Sequence, residues 1–87
     1  FCDRIFVMSN LQPYSQKAKS LKNGKYRHYS GKEYEVIGVS RHSETLEEMV
    51  VYKALYDEGS LWVRPLAMFV EDVEVNGNMQ PRFKFID

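Results

Sequence analysis

Between Tyr26 and Phe69 the chain reads YRHY at 26–29, YEVIGVSRHSET at 34–45, VVYKALY at 50–56 and LWVRPLAMF at 61–69. These four runs are rich in β-branched and aromatic residues, a composition that is typical of β-strands. The same half of the chain contains both histidines, the single tryptophan and three arginines. This stretch therefore predicts a sheet together with a polar surface that is a candidate for function.

The first two strands are predicted to form a tight hairpin. Residues 25–29 form a short aromatic run, residues 30–32 read Ser-Gly-Lys, and residues 33–41 are rich in tyrosine, valine and isoleucine. If these strands pair, we expect Arg27 and His28 to lie near residues 36–39. The alternation of apolar residues changes face at Gly38, which predicts a β-bulge that bends the second strand.

The rest of the chain predicts short strands separated by turns. Residues 49–56 form the most apolar run and are expected to be the central strand, with Tyr52 in the core. The remaining elements are a strand at 61–64 ended by Pro65, a single helical or 3₁₀ turn at 66–69, a strand at 71–75, an Asn76-Gly77 hairpin turn and a last strand at 82–85. These elements predict a mainly β fold.

We expect five or six strands in a small, strongly bent antiparallel sheet that closes into an SH3-like barrel, with an OB-like barrel as the alternative. One 3₁₀ turn would cover an end of this barrel. The barrel domain is predicted to span residues 24–87, preceded by an extension at 1–23. Within the extension, Pro13 can begin a short helix over 13–22, and residues 1–12 are expected to pack poorly against the barrel.

Length and charge limit the classes of function. The chain has 87 residues and no net charge, but its first 27 residues carry six basic side chains and one acidic one. The remaining residues carry six basic and eleven acidic side chains. Phosphate contacts supply most non-specific affinity for nucleic acids, so an acidic barrel does not favour nucleic-acid binding. Rings at Tyr26, Tyr29, Tyr34, Tyr52 and Trp62 keep an RNA-binding or single-strand-binding barrel as an alternative.

The cellular setting follows from cysteine usage and hydropathy. The single cysteine, Cys2, excludes an internal disulfide, and a small domain without disulfides is expected in the cytoplasm. No apolar run approaches the ~20 residues that a membrane-spanning helix needs, so no membrane partner is predicted. We expect a monomer or a weak dimer.

Much of the chain resembles one bacterial family. The blocks that carry the resemblance are Tyr26-Arg27-His28-Tyr29, Tyr34-Glu35-Val36, Gly38, Arg41-His42-Ser43-Glu44-Thr45, Val50-Val51-Tyr52, Leu55-Tyr56, Leu61-Trp62-Val63-Arg64-Pro65-Leu66, Met68-Phe69 and Pro81-Arg82-Phe83. Over about residues 24–86 they are similar to the uncharacterised family known as domain of unknown function 1653. The resemblance implies a bacterial, cytosolic domain and implies no activity.

The candidate site combines arginine, histidine and one aromatic ring. Its residues are Arg27, His28, Arg41, His42, Glu44, Trp62 and Arg64. Guanidinium groups offer a planar set of donors to carboxylate or phosphate, and tryptophan offers a stacking face. The alternative is that the arginines form ordinary salt bridges with Glu33, Glu35 and Glu44. We expect Trp62 in or near the core, because it lies in an apolar run with a high β-strand propensity.

Two kinds of catalytic site are weaker alternatives. His28, His42 and Glu44 supply two nitrogens and one oxygen, the minimum set for an open zinc site, but their spacing is not distinctive. His42, Ser43 and Glu44 are adjacent in an extended segment, so their side chains alternate in direction and do not converge as a triad must. The sequence therefore predicts no metal, no cofactor and no catalytic residue, and favours a binding module for an anionic small molecule or an acidic protein surface.

Overall fold

The computed structural model describes residues 12–87, which form a mainly β fold. Its elements, in chain order, are α1 (Gln16–Ser20), β1 (Gly24–His28), β2 (Glu33–Arg41), β3 (Glu48–Ala54), β4 (Leu61–Pro65), α2 (Leu66–Phe69), β5 (Asp72–Val75), β6 (Asn78–Pro81) and β7 (Phe83–Phe85). The hairpin predicted at Asn76-Gly77 joins β5 to β6. Seven strands thus form in the described residues, where five or six were predicted.

Five of these strands form one antiparallel sheet in the order β4-β3-β2-β1-β7, while β5 and β6 form a separate two-stranded sheet. The larger sheet bends so strongly that Phe83 on β7 packs against Tyr52 on β3, with 5.5 Å between ring centroids. Within residues 12–87, however, no ladder joins β4 to β7. The prediction of a strongly bent sheet holds, but the predicted closure into an SH3-like barrel is not found. Neither edge strand is long, because β4 ends at Pro65 and because β7 has only three residues.

The bulge predicted at Gly38 is present. Val36 lies opposite Tyr52, and the register then shifts so that Gly38 lies opposite Val51. The extra residue in β2 places Val39 opposite Val50, and therefore on the same face as Val36 despite their odd spacing. The bulge keeps both valines directed toward the core across the bend.

The core lies on the concave face of the larger sheet. Val50, Phe69 and Val36 are almost completely buried, with exposed fractions of 0%, 1% and 2%. The rings of Phe69 and Phe83 stack at 4.1 Å with an interplanar angle of 5°. Each such buried side chain stabilises the fold by about 1.5–3 kcal/mol relative to an exposed one, so a few aromatic contacts dominate the stability of this small domain.

The turn at 66–69 is α-helical, one of the two forms predicted for it, so the 3₁₀ turn expected to cover a barrel end is not confirmed. The Val70 amide donates to the Leu66 carbonyl oxygen at 3.0 Å, which is the i to i−4 bond of an α-helix. Pro65 precedes this turn because proline has no amide hydrogen, which ends a strand ladder but costs nothing at the start of a helix. Leu66 and Phe69, three positions apart, are both buried beneath the sheet.

The N-terminal helix is shorter than predicted and begins later. It spans Gln16–Ser20, and its cap is Ser15, whose Oγ accepts a hydrogen bond from the Ala18 amide at 3.2 Å. Ala18 on this helix is buried in the core, and Tyr14 and Leu21, which flank the helix, pack against the core.

Residues 1–12 were expected to pack poorly. Of these, residues 1–11 lie outside the described part of the chain, and only Gln12 lies within it. The Gln12 carbonyl oxygen accepts from Arg41. No helix formed within residues 12–87 is long and apolar enough to cross a membrane.

Candidate functional site

The concave face of the sheet carries three of the predicted site residues. In antiparallel strands, residues directly opposite each other lie on the same face. Trp62 lies opposite buried Tyr52, Arg64 lies opposite buried Val50, and His28 lies opposite buried Phe83. The concave face therefore brings together His28, Trp62 and Arg64 around an aromatic core.

Arg64 is partly buried and held by two aromatic neighbours. Its Nε donates to the Tyr52 hydroxyl oxygen at 3.3 Å, and its Cζ lies 5.7 Å from the centroid of the Phe83 ring. Among residues 12–87 no carboxylate lies within ion-pairing distance of this guanidinium. Its two terminal nitrogens are bonded to no described acceptor, so their N–H groups can bind an anion.

Trp62 is half-exposed, which corrects the prediction that it belongs to the core. Its exposed fraction is 52%, whereas that of Tyr52, directly opposite on β3, is 4%. Both side chains lie on the concave face, but β4 is an edge strand, and no described strand lies beyond it to cover the indole. Tyr52 is a core residue, as predicted.

A shallow depression of about 50 Å³ lies beside the Trp62 indole. It is lined by Trp62, Ala54, Tyr56, Ser60, Asp57 and Glu58. The depression thus has two aromatic walls and an acidic rim. These two carboxylates lie beside the half-exposed indole.

His28 is a neutral hydrogen-bonding residue of the concave face. Its Nδ1 accepts from the Ser30 amide at 3.1 Å and lies 2.9 Å from the Ser30 hydroxyl, which places the proton of the neutral ring on Nε2. Burial lowers the pKa of His28, and the positive charges of Arg64 and Arg82 lower it further. His28 therefore contributes a donor, not a second positive charge, beside Arg64 at neutral pH.

The predicted anion site included neither Tyr52 and Phe83, which position Arg64, nor Tyr34, whose ring packs against both. Tyr34 donates to or accepts from Tyr56, with 2.7 Å between the hydroxyl oxygens. Burial and this bond raise the pKa of Tyr34 to about 12. Alternation along β2 predicts the face of that strand on which Tyr34 lies, and alternation along β3 does the same for Tyr52. The approach of Phe83 depends on a strand that is distant in sequence, so no local pattern indicates it.

Arg27 lies away from this site. It is opposite Glu33, on the convex face, and its Nη2 forms an ion pair with the Glu33 carboxylate at 2.9 Å. The expectation that Arg27 and His28 lie near residues 36–39 is wrong, because Val36 is opposite Gly24 at the other end of β1. For Arg27 the observed contact is the surface salt bridge considered as the structural alternative.

Arg41, His42 and Glu44 lie together at the β2–β3 turn. The Arg41 Cζ lies 4.0 Å from the centroid of the Tyr14 ring, and its Nη2 donates to the Gln12 carbonyl oxygen at 2.8 Å. The Glu44 and Thr45 amides donate to Nδ1 of His42 at 3.1 and 3.3 Å. In these contacts Arg41 anchors the segment before α1, and His42 stabilises the turn.

The two histidines are too far apart to share a metal ion. His28 ends β1 beside the start of β2, whereas His42 follows the end of β2. A nine-residue strand spans roughly 25–30 Å at about 3.3 Å per residue. Within residues 12–87, no group of three or more potential metal ligands is found. His28 therefore cannot complete a site with His42 and Glu44.

Comparison with known proteins identifies the family. The sequence model for DUF1653, described as a protein of unknown function, matches residues 24–85. A crystal structure of a DUF1653 protein from Bordetella bronchiseptica is similar, with 35% sequence identity and a TM-score of 0.74 over 79% of this chain and 91% of that chain. No curated protein matches the chain. The predicted family and its extent are confirmed: this chain belongs to the DUF1653 family of proteins of unknown function.

Proposed function

We propose that this domain is a non-enzymatic binding module whose concave face binds an anionic group at Arg64. The ligand carries a carboxylate or a single phosphate attached to a flat or apolar body, which stacks on Trp62. His28 contributes its Nε2–H on the same face. We leave Arg27, Arg41, His42 and Glu44 out of this narrower site, because Arg27 pairs with Glu33 and the other three lie at the β2–β3 turn.

The observation that carries the proposal is the contrast between Arg64 and the other arginines of residues 12–87. Arg27 and Arg82 each form an ion pair at 2.9 Å, with Glu33 and Glu71. Arg41 donates to a backbone carbonyl, lies over Tyr14 and has the Glu48 carboxylate nearby, whose pKa its charge helps to lower. Arg64 donates only to the neutral Tyr52 hydroxyl, and its terminal nitrogens are accessible to solvent and bonded to no acceptor within residues 12–87. An external anion would supply the missing counter-charge.

The surroundings of Arg64 favour a small ligand with a flat part. Trp62 lies two positions before Arg64 on the same face, and its half-exposed indole adjoins the site. Asp57 and Glu58 line the depression beside the indole and oppose a long polyanion. This acidic rim, together with the acidic excess after residue 27, makes single-stranded nucleic acid the weaker candidate.

The single tryptophan provides a direct test. We expect the indole fluorescence of the full chain to change on titration with an aromatic carboxylate such as benzoate or with a nucleoside monophosphate, and less with inorganic phosphate. Arg64→Gln should weaken binding by about tenfold or more, because hydrogen bonds between charged groups contribute about 1.5–3 kcal/mol.

Arg27→Gln is the matched control, because it removes an exposed arginine from the convex face. Equal losses in the two variants, or no saturable change with any of these probes, would refute the proposal. Tighter binding to an oligonucleotide than to the monophosphate would favour the nucleic-acid alternative. We further propose a cytoplasmic location, on the basis of the single cysteine.

A further inference from the structure

The outer edge of β4 presents unused backbone groups. The Ala54 amide donates to the Ser60 carbonyl oxygen at 2.9 Å, and the same register places residues 62 and 64 in hydrogen-bonded pairs with β3. In an antiparallel ladder these pairs alternate with pairs whose backbone groups point away from the partner strand. The N–H and C=O groups of Leu61 and Val63 therefore point away from β3. No described strand pairs with this edge.

The convex side of the same edge is apolar. Leu61 is 66% exposed and Val63 is 59% exposed, and Val63 lies opposite Val51 on β3. Ile37, in the bulge of β2, is 49% exposed. Edge strands are commonly protected from pairing by lysine, proline or a bulge. The other edge has Lys84 at the centre of three-residue β7, whereas β4 has only Pro65 at its end.

We propose that two copies of this chain associate by antiparallel pairing of their β4 strands, with Val63 of one copy opposite Val63 of the other. Each Val63 then donates to the carbonyl oxygen of the second Val63. Each Leu61 lies opposite Pro65 of the other copy. Pro65 is the N-cap residue of α2, so its carbonyl oxygen already accepts the first hydrogen bond of that helix, and it has no amide hydrogen to leave unpaired. The result is a two-fold interface that joins two five-stranded sheets.

The side chains of β4 are complementary to themselves in this register. Trp62 of each copy lies opposite Arg64 of the other, in the closely spaced pairs that hold no backbone bonds. A guanidinium over an indole is a favourable cation–π pair. On the convex face, Leu61 and Val63 of both copies form one apolar strip. No like charges oppose each other among the paired residues, which favours a second copy over an unrelated peptide.

Five residues per strand make a small interface. Stable complexes usually bury at least about 1,200 Å² in total, and a single short strand pair buries less, so a weak, concentration-dependent dimer is expected. The backbone pairing depends on Val63 and Leu61 and needs no anion, whereas Trp62 and Arg64, which also form the ligand site, add only a side-chain contact. Variants of Val63 therefore test the pairing without changing a residue of the ligand site.

Sedimentation of the full chain across a wide concentration range tests this pairing. We expect a monomer at low concentration and a dimer at high concentration, with amide exchange at Leu61 and Val63 slowing as the dimer forms. Val63→Lys places two lysines in opposition across the two-fold axis and should shift the association at least tenfold toward monomer. Val63→Glu should do the same, and an equimolar mixture of the two variants should restore association.

Met79→Lys is the control, because Met79 is 65% exposed on β6, away from β4. It should leave association unchanged. Restoration by the mixture also shows that both variants are folded. The proposal is overturned if the unmodified chain stays monomeric, if Val63→Lys leaves a dimer intact, or if the mixture behaves like its components. Slow exchange of the Leu61 and Val63 amides at all concentrations would assign the edge to a segment of the same chain and would also overturn it.

Discussion

Arg64 on β4 lies over the ring of Phe83 on β7, with 5.7 Å between Cζ and the ring centroid. These two strands are the opposite edges of the five-stranded sheet. The contact therefore links the edges through side chains where no backbone ladder does so in the described residues. It also holds the candidate anion-binding guanidinium in place, so the bend of the sheet and the site depend on the same residue pair.

Phe69 should be essential for stability. Its exposed fraction is 1%, and its ring stacks on Phe83 at 4.1 Å. Phe69→Ala should lower the free energy of unfolding by about 3–5 kcal/mol, a large share of the stability of a domain this size. Urea denaturation followed by circular dichroism measures the change. Met68→Ala, in the same helical turn but 44% exposed, is the control and should cost far less. A similar loss in both variants would contradict the assigned burial.

Trp62 should be dispensable for folding. Because its indole is 52% exposed on an edge strand, Trp62→Ala should lower the free energy of unfolding by only about 1 kcal/mol. Tyr52→Ala, on the opposite residue of β3, should cost several times more because that ring is buried. Thermal unfolding of the two variants compares them. Loss of the folded state in Trp62→Ala would return this residue to the core.

Gly24 should not tolerate a side chain. Its φ is +135°, and an added Cβ would lie 2.5 Å from the carbonyl oxygen of Asp87. Gly24→Ala should therefore destabilise the fold by more than about 1 kcal/mol, because both the backbone and the C-terminal segment must shift.

Gly38→Ala is the matched control, since an added Cβ at Gly38 meets nothing within 4 Å. Its midpoint of urea unfolding should stay close to that of the unmodified chain. A Gly24→Ala protein as stable as this control would show that the C-terminal segment does not pack against β1.

Acid should weaken the fold through His28. Burial and the charges of Arg64 and Arg82 lower its pKa in the folded state, so between that value and the unfolded value of about 6.5 the unfolded chain binds more protons. This contribution to stability is complete above the unfolded pKa and is lost as pH falls through the window below it.

Urea denaturation at a series of pH values measures this dependence, and His28→Gln should flatten it. An NMR titration of the imidazole gives the folded pKa directly. A folded pKa above the unfolded value would reverse the predicted sign. Glu48, whose pKa the hydrogen bonds from Ser15 lower, acts in the same direction at more acidic pH, so the comparison belongs above that range.

Local features of the sequence were sufficient for most of the strands and for the bulge, but not for β6 at Asn78–Pro81, which pairs with β5. The bulge occurs at Gly38, where the apolar residues change face, and the hairpin turn occurs at Asn76-Gly77, which favours a left-handed backbone. Both features depend on a few neighbouring residues only. The family also follows from the sequence, since its blocks are contiguous runs.

The tertiary structure alone decided which predicted site residues meet. Alternation along β4 places Trp62 and Arg64 on one face, but it does not reveal that β4 is an edge, and edge position is what exposes the indole. Likewise, the register of β1 with β2 moves Arg27 to Glu33 and away from Arg41. Register and strand order arise from pairing between distant segments, which no local pattern encodes.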